Sequence, residues 1–172
     1  MTTYSQTNTD NTYGTQSNKY WGANFTNATF QSSNVSSLTY YFRKETAGST
    51  SVTINLATLD ASGDVLDSSI ASKTITVTNP SFTECTFDSL DYDVPVDGCY
   101  FMCYDMTGLS TNVEFAVTNS PSPSSSDIVN AAKKLNDATA PVDFTDYPKV
   151  TLSYTPASGS SSTLLPPPVA WI

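Results

Sequence analysis

Two runs of alternating side chains, separated by a short polar turn, occupy residues 35–60. In the first, Leu38, Tyr40 and Phe42 alternate with Thr39, Tyr41 and Arg43. In the second, Val52, Ile54 and Leu56 alternate with Thr53, Asn55 and Ala57. A period of two turns one set of side chains into a core and the other into water, so each run reads as a half-buried β-strand. Gly48 falls in the intervening turn, where a glycine suits a hairpin loop. The stretch is therefore expected to be a β-hairpin that seeds an antiparallel sandwich.

The rest of the chain repeats this grammar. A first strand region is expected over residues 20–30, with Gly22 marking a bulge or bend. Residues 61–64 (Ala-Ser-Gly-Asp) read as a turn, and a strand follows, best placed at residues 70–77 and broken by Asn79-Pro80. Residues 82–90 alternate Thr83, Cys85 and Phe87 against Glu84, Thr86 and Asp88. After an acidic turn at residues 91–98, residues 99–104 are almost all apolar or aromatic, as in a central strand covered on both faces. Further strands are expected at residues 112–118 and 149–154. One short helix is expected at residues 128–136, where Ile128, Val129, Ala132 and Leu135 fall at helical spacing. Ser126 or Asp127 would cap it, and Lys133 and Lys134 would complement its dipole. Residues 1–19 are polar, with almost no aliphatic side chain, and read as an N-terminal arm. Residues 157–172 read as a flexible linker followed by a Pro-rich, apolar tail. The expected architecture is all-β: an antiparallel two-sheet, jelly-roll-like β-sandwich of about eight strands over residues 20–156, with one short helix and extended arms at both ends.

Composition removes several classes of function. The formal net charge is −9, which disfavours nucleic acid phosphates and anionic membranes as partners. No apolar run approaches the roughly 20 residues that a membrane-crossing helix needs. There is no histidine, so no Ser/His/Asp set exists. No Gly-rich phosphate loop and no basic stripe occurs either. Pairs of carboxylates exist, as in any acidic sandwich, and by themselves do not mark a hydrolase. The chain is read as non-enzymatic. Of the three cysteines, Cys99 and Cys103 share a strand face and sit too far apart for a relaxed disulfide. Buried free thiols are one reading of the set, and a disulfide from Cys85 to one of the others is another. The opening Met-Thr-Thr-Tyr-Ser-Gln-Thr has neither a basic nor an apolar region and does not read as a signal peptide. Asn24, Asn27 and Asn34 begin N-glycosylation sequons, which arise by chance in a chain this rich in Asn, Ser and Thr.

A resemblance is carried by Ala28-Thr-Phe30, the run from Val35 to Lys44, and Val52-Thr-Ile-Asn-Leu with its following Ser-Gly-Asp turn. The segment Pro-Val-Asp-Gly-Cys-Tyr ahead of residue 101 completes it. Together, residues 31–105 resemble the jelly-roll modules of phage and viral structural proteins and of surface-anchored proteins, which are related in shape to carbohydrate-binding modules. These motifs mark a fold and bring no diagnostic functional residue with them. Asp91, Asp93 and Asp97 read first as a solvated acidic turn with no cofactor; since jelly-roll modules often hold a structural calcium, the resemblance makes these carboxylates the candidate oxygen donors for one. The rings of Tyr41, Tyr92 and Tyr104 read either as core or edge packing or, where exposed, as candidates for glycan stacking or subunit contact. A further partner site is read from the tail, where Leu164, Leu165, Val169, Trp171 and Ile172 follow or flank three prolines that forbid a helix. The expected function is that of a structural subunit of a virus particle: capsid, capsid-associated, spike or tail-surface protein. Its partners would be copies of itself or other virion proteins, with a host surface glycan as a further ligand. The alternative is an extracellular carbohydrate-binding module or an adhesin or filament subunit. Either places the protein in a virion or outside the cell.

Overall fold

A computed structural model describes residues 1–6, 9, 11–15, 19–104, 113–119, 130–135, 140–143 and 145–158. Its strands are β1 (Thr2–Gln6), β2 (Asn11–Thr15), β3 (Lys19–Phe25), β4 (Asn34–Lys44), β5 (Gly48–Leu59), β6 (Val65–Asn79) and β7 (Thr83–Asp93). They continue with β8 (Cys99–Tyr104), β9 (Val113–Thr118), β10 (Ala131–Leu135), β11 (Val142–Asp143), β12 (Tyr147–Pro148) and β13 (Val150–Thr155). All pair antiparallel, in two sheets.

The first sheet is built around β4. Tyr40 pairs with Cys85 of β7 on one flank and Val150 of β13 on the other. β1 extends the sheet beyond β13, while β9 takes over the β13 flank at Phe42, Arg43 and Lys44. β9 in turn carries β2 on its far side and β12 beside β4. The second sheet runs β11-β10-β3-β8-β5-β6. The core lies between the sheets, and Leu38, Tyr40 and Phe42 of β4 face Val52, Ile54 and Leu56 of β5 within it, all six with no exposed surface. Phe101 of β8 packs edge-on to Phe25 at 5.4 Å and to Tyr92 at 5.5 Å. Tyr40 donates a buried hydrogen bond from its hydroxyl to the Phe101 carbonyl at 2.9 Å, tying one sheet to the other. A buried hydroxyl needs such a partner, since leaving it unsatisfied costs about 1–3 kcal/mol.

Four expectations are corrected here. The hairpin over residues 35–60 does not form: β4 and β5 enter opposite sheets and face one another across the core. Alternation specifies which face is buried and leaves the pairing partner open. The crossing is held by Asn79, whose side-chain amide donates to the carbonyls of Lys44 and Glu45 at 2.8 and 3.1 Å. The hairpin that does form joins β5 and β6 through the turn at Asp60, where the Asp64 amide donates to the Asp60 carboxylate at 2.9 Å.

The short helix is not seen. Residues 131–135 form β10, paired with β3 and β11, while Ile128, Val129 and Asn136 lie outside the described residues. So short a helix is marginal in water, and the open edge of β3 offers a full ladder of hydrogen bonds instead.

The N-terminal stretch expected as an arm supplies two strands, β1 on β13 and β2 on β9. A sheet edge accepts backbone of any polarity, and Tyr4 supplies the apolar anchor, edge-on to Phe30 at 5.6 Å. Gly22, finally, interrupts nothing. The register of β3 with β8 is continuous through it, and it is needed because the Phe101 carbonyl passes so close. The jelly-roll strand order stays outside these observations; two antiparallel sheets packed as a sandwich is what they establish.

Candidate functional site

The three residue sets expected from sequence are scattered. Asp91 and Asp93 end β7, both exposed, and the Asn34 amide donates to them at 3.0 and 2.9 Å. Asp97 lies in the following turn. A donor amide between two carboxylates stands where a cation would be expected, and no group of three acidic or thiol side chains among the described residues could hold a metal ion. The trio does not fit calcium as this structure arranges it. EDTA is accordingly expected to leave the thermal midpoint unchanged; a fall reversed by calcium would show a stabilising site instead.

The tyrosines are engaged inside the molecule. Tyr41 lies on the outer face of β4, with the Lys149 ammonium 4.3 Å from its ring centroid. Tyr92 turns to the core, where its hydroxyl meets Thr58 at 2.7 Å. Partial burial pushes the hydroxyls of Tyr41 and Tyr92 above their ordinary range. Tyr104 belongs to the other sheet, stacks on Tyr20 at 5.2 Å and donates to the Ser68 carbonyl. The sequon asparagines are engaged as well. Asn24 donates to Asp143 at 2.8 Å and Tyr100 at 3.2 Å, Asn34 holds its two aspartates, and Asn27 accepts from the Thr29 amide at 3.0 Å. Tail residues Leu164, Leu165, Val169, Trp171 and Ile172 lie outside the described residues.

What the fold does assemble is one end of the sandwich. Strand register brings the start of β1, β4, β6 and β8 to the same end as the finish of β3, β5, β7 and β13. There the turn after β3 meets the turn before β8: the Ser32 amide donates to the Pro95 carbonyl at 3.3 Å and the Val94 amide to the Ser33 carbonyl at 2.8 Å. Gly98 makes this meeting possible. It adopts φ +75°, and a Cβ on it would come within 2.4 Å of the Thr26 Cα.

Between these turns and the end of β13 lies an open groove of about 480 Å³, lined by Ala28, Thr29, Gln31, Ser32, Val96, Tyr154, Pro156 and Ala157. None of these side chains is charged, although Asp60, Asp64, Asp91, Asp93 and Asp97 stand at the same end. Val96 is 72% exposed, and Met1, Val65 and Leu66, also exposed, lie at this end too. Among the described residues, the remaining exposed large apolar side chain, Val142, sits on the outer strand β11. Sequence reading passed over the groove because its lining comes from three separate turns and strand ends. The one local signal was Val96, an apolar residue between Pro95 and Asp97 in the acidic turn.

No protein-family model, curated protein or solved structure matches the chain. Among the described residues no helix is long and apolar enough to cross a membrane.

Proposed function

We propose that this chain is a structural subunit of a virus particle, as a capsid, capsid-associated, spike or tail-surface protein, working through contacts with copies of itself or with other particle proteins. The observation that carries this reading is that Met1, Val65, Leu66 and Val96, four of the five exposed large apolar side chains among the described residues, lie at one end of an otherwise acidic sandwich, the end that also holds an uncharged groove. Exposed apolar side chains gathered in one place mark a contact surface. A virion or extracellular location follows from the same reading.

Sedimentation velocity of the full chain over a rising concentration series tests it. Discrete oligomers are expected; a monomer throughout, failing also to co-sediment with particles of its source, counts against it. The carbohydrate-binding alternative is served less well, because the rings of Tyr92 and Tyr104 are already packed on Phe101 and Tyr20. A glycan array probed with the full chain is expected to be blank.

A further inference from the structure

β6 is the longest of the described strands, and it lies at the margin of its sheet. Among the described residues it pairs with β5 alone, so its other edge presents backbone donors and acceptors that no described strand takes up. Such an edge is a template for a further strand, and the hazard grows with length, β-propensity and lack of charge. Residues 68–83 contain a single charged side chain, Lys73, and are otherwise rich in Ser, Thr, Ile and Val. The other margins differ. β1 and β11 have five and two residues, and β7 carries Glu84, Asp88, Asp91 and Asp93, like charges that repel a copy of themselves.

Two features close the ends of the β6 edge. Residues 68–70 bulge out of the pairing, since Leu56 stands opposite Ala71 and Thr58 opposite Asp67. The bulge is fixed from within: the Asp67 carboxylate accepts from the Ser69 amide at 3.2 Å, the Tyr104 hydroxyl donates to the Ser68 carbonyl, and Ile70 packs on the core. Further along, the Thr83 hydroxyl donates to the Thr76 carbonyl at 3.1 Å. Residues 71–75 remain, with Lys73 at their centre. Lys73 stands opposite Ile54 and alternates with the buried Ile75 and Val77, so its side chain leaves the strand on the core face. It is exposed there, near enough to Cys85 of β7 to act on that thiol electrostatically.

The position of this one charge decides which pairings are open to two copies of β6. An antiparallel pair centred on Ile70 would set Asp67 of each copy against Lys73 of the other, but it runs through the bulge. Centred on Lys73, the pair opposes two ammonium groups. Centred on Thr74, it opposes Lys73 to Ile75. In both, the added strand encloses an ammonium on the core face without a counter-charge, which is costly.

We infer that Lys73, together with the bulge at residues 68–70, keeps β6 from pairing edge to edge with the β6 of a second copy. The inference stands apart from the subunit reading, which places the contact at the end of the sandwich rather than along this side.

Lys73→Val removes the charge and suits the strand. Lys73→Thr removes it without adding a large apolar group, and Lys73→Glu keeps a charge of the other sign. Hydrogen–deuterium exchange of the full chain over a rising concentration series reads the edge directly, because amides paired between strands are protected. In the unaltered chain, exchange at residues 71–75 is expected to be the same at every concentration, whether or not the sandwich ends associate. In Lys73→Val and Lys73→Thr, with unaltered circular dichroism, those amides are expected to exchange at least about tenfold more slowly at the top of the series. Lys73→Glu is expected to match the unaltered chain. Concentration-dependent protection of residues 71–75 in the unaltered chain would make this edge an interface and overturn the inference. Exchange independent of concentration in both uncharged variants would overturn it too, as would Lys73→Glu pairing as readily as they do.

Discussion

Raising the pH from 8 to 11 under reducing conditions is expected to unfold this protein. Cys85, Cys99 and Cys103 are free thiols with no exposed surface, all three on the core side of their strands. Burial pushes Cys85 and Cys99 from 9.0 up to about 12. Burial, reinforced by the facing Cys85, pushes Cys103 well above its ordinary value. Burial raises the Tyr40 hydroxyl in the same way, with the nearby cysteines adding to it.

Below pH 9 both the folded and the unfolded chain hold neutral thiols, and the stabilisation is fully present. Above it the unfolded chain releases thiol protons that the folded chain retains, so stability falls as pH rises toward the folded values near 12. Each thiol contributes about 1.4 kcal/mol per pH unit, so three of them remove on the order of 8 kcal/mol by pH 11. That is comparable with the whole stability of an ordinary domain, about 5–15 kcal/mol. Urea unfolding at half-unit steps from pH 8 measures the slope. Cys103→Ala should make the slope shallower by about 1.4 kcal/mol per pH unit while costing some stability at pH 7. Stability that stays flat to pH 11 would contradict the buried-thiol account.

Gly22→Ala should cost about 3 kcal/mol or more, the upper range for overpacking. A Cβ at Gly22 would lie 1.9 Å from the Phe101 carbonyl oxygen and 2.9 Å from the Met102 Cα. Both are backbone atoms of a central strand and cannot rotate aside. Relief requires β3 to move off β8, and the contacts at risk include the 5.4 Å packing of Phe25 on Phe101 and the Tyr40 bond to the Phe101 carbonyl. Gly48→Ala is the control. There the added Cβ meets only the flexible end of Lys44 at 3.5 Å, so the cost is that of holding alanine at φ +101°, about 1 kcal/mol. Thermal denaturation of the two variants side by side should show the larger drop for Gly22; equal drops would mean that β3 and β8 separate more easily than their packing suggests.

Particular residues show how far the sequence could be read. Leu38, Tyr40, Phe42, Val52, Ile54 and Leu56 were legible as core because alternation is a property of the strand itself. The run Cys99–Tyr104 was legible as a central strand because both of its faces are apolar, and it lies between β3 and β5. Tyr92 was less legible. It sits beyond a register shift in the pairing of β4 with β7, so alternation along the strand does not carry through to it, and the structure packs its ring edge-on to Phe101. The groove could not be read at all, since Ala28, Val96 and Tyr154 belong to segments far apart in the chain.

The amino-acid sequence by itself determined the class of this protein: strands rather than helices, which face of most strands is buried, no histidine in the chain, and a formal net charge of −9. These are local or summed properties, and side-chain periodicity and charge carry them without reference to a partner. Only the tertiary structure decided which strands pair. It sent β4 and β5 to opposite sheets, made strands of residues 2–6 and 131–135, and required glycine at position 22. Hydrogen-bond pairing between strands depends on which edges are left open once the core has closed, and the backbone donors and acceptors that fill those edges are the same for every residue type except proline.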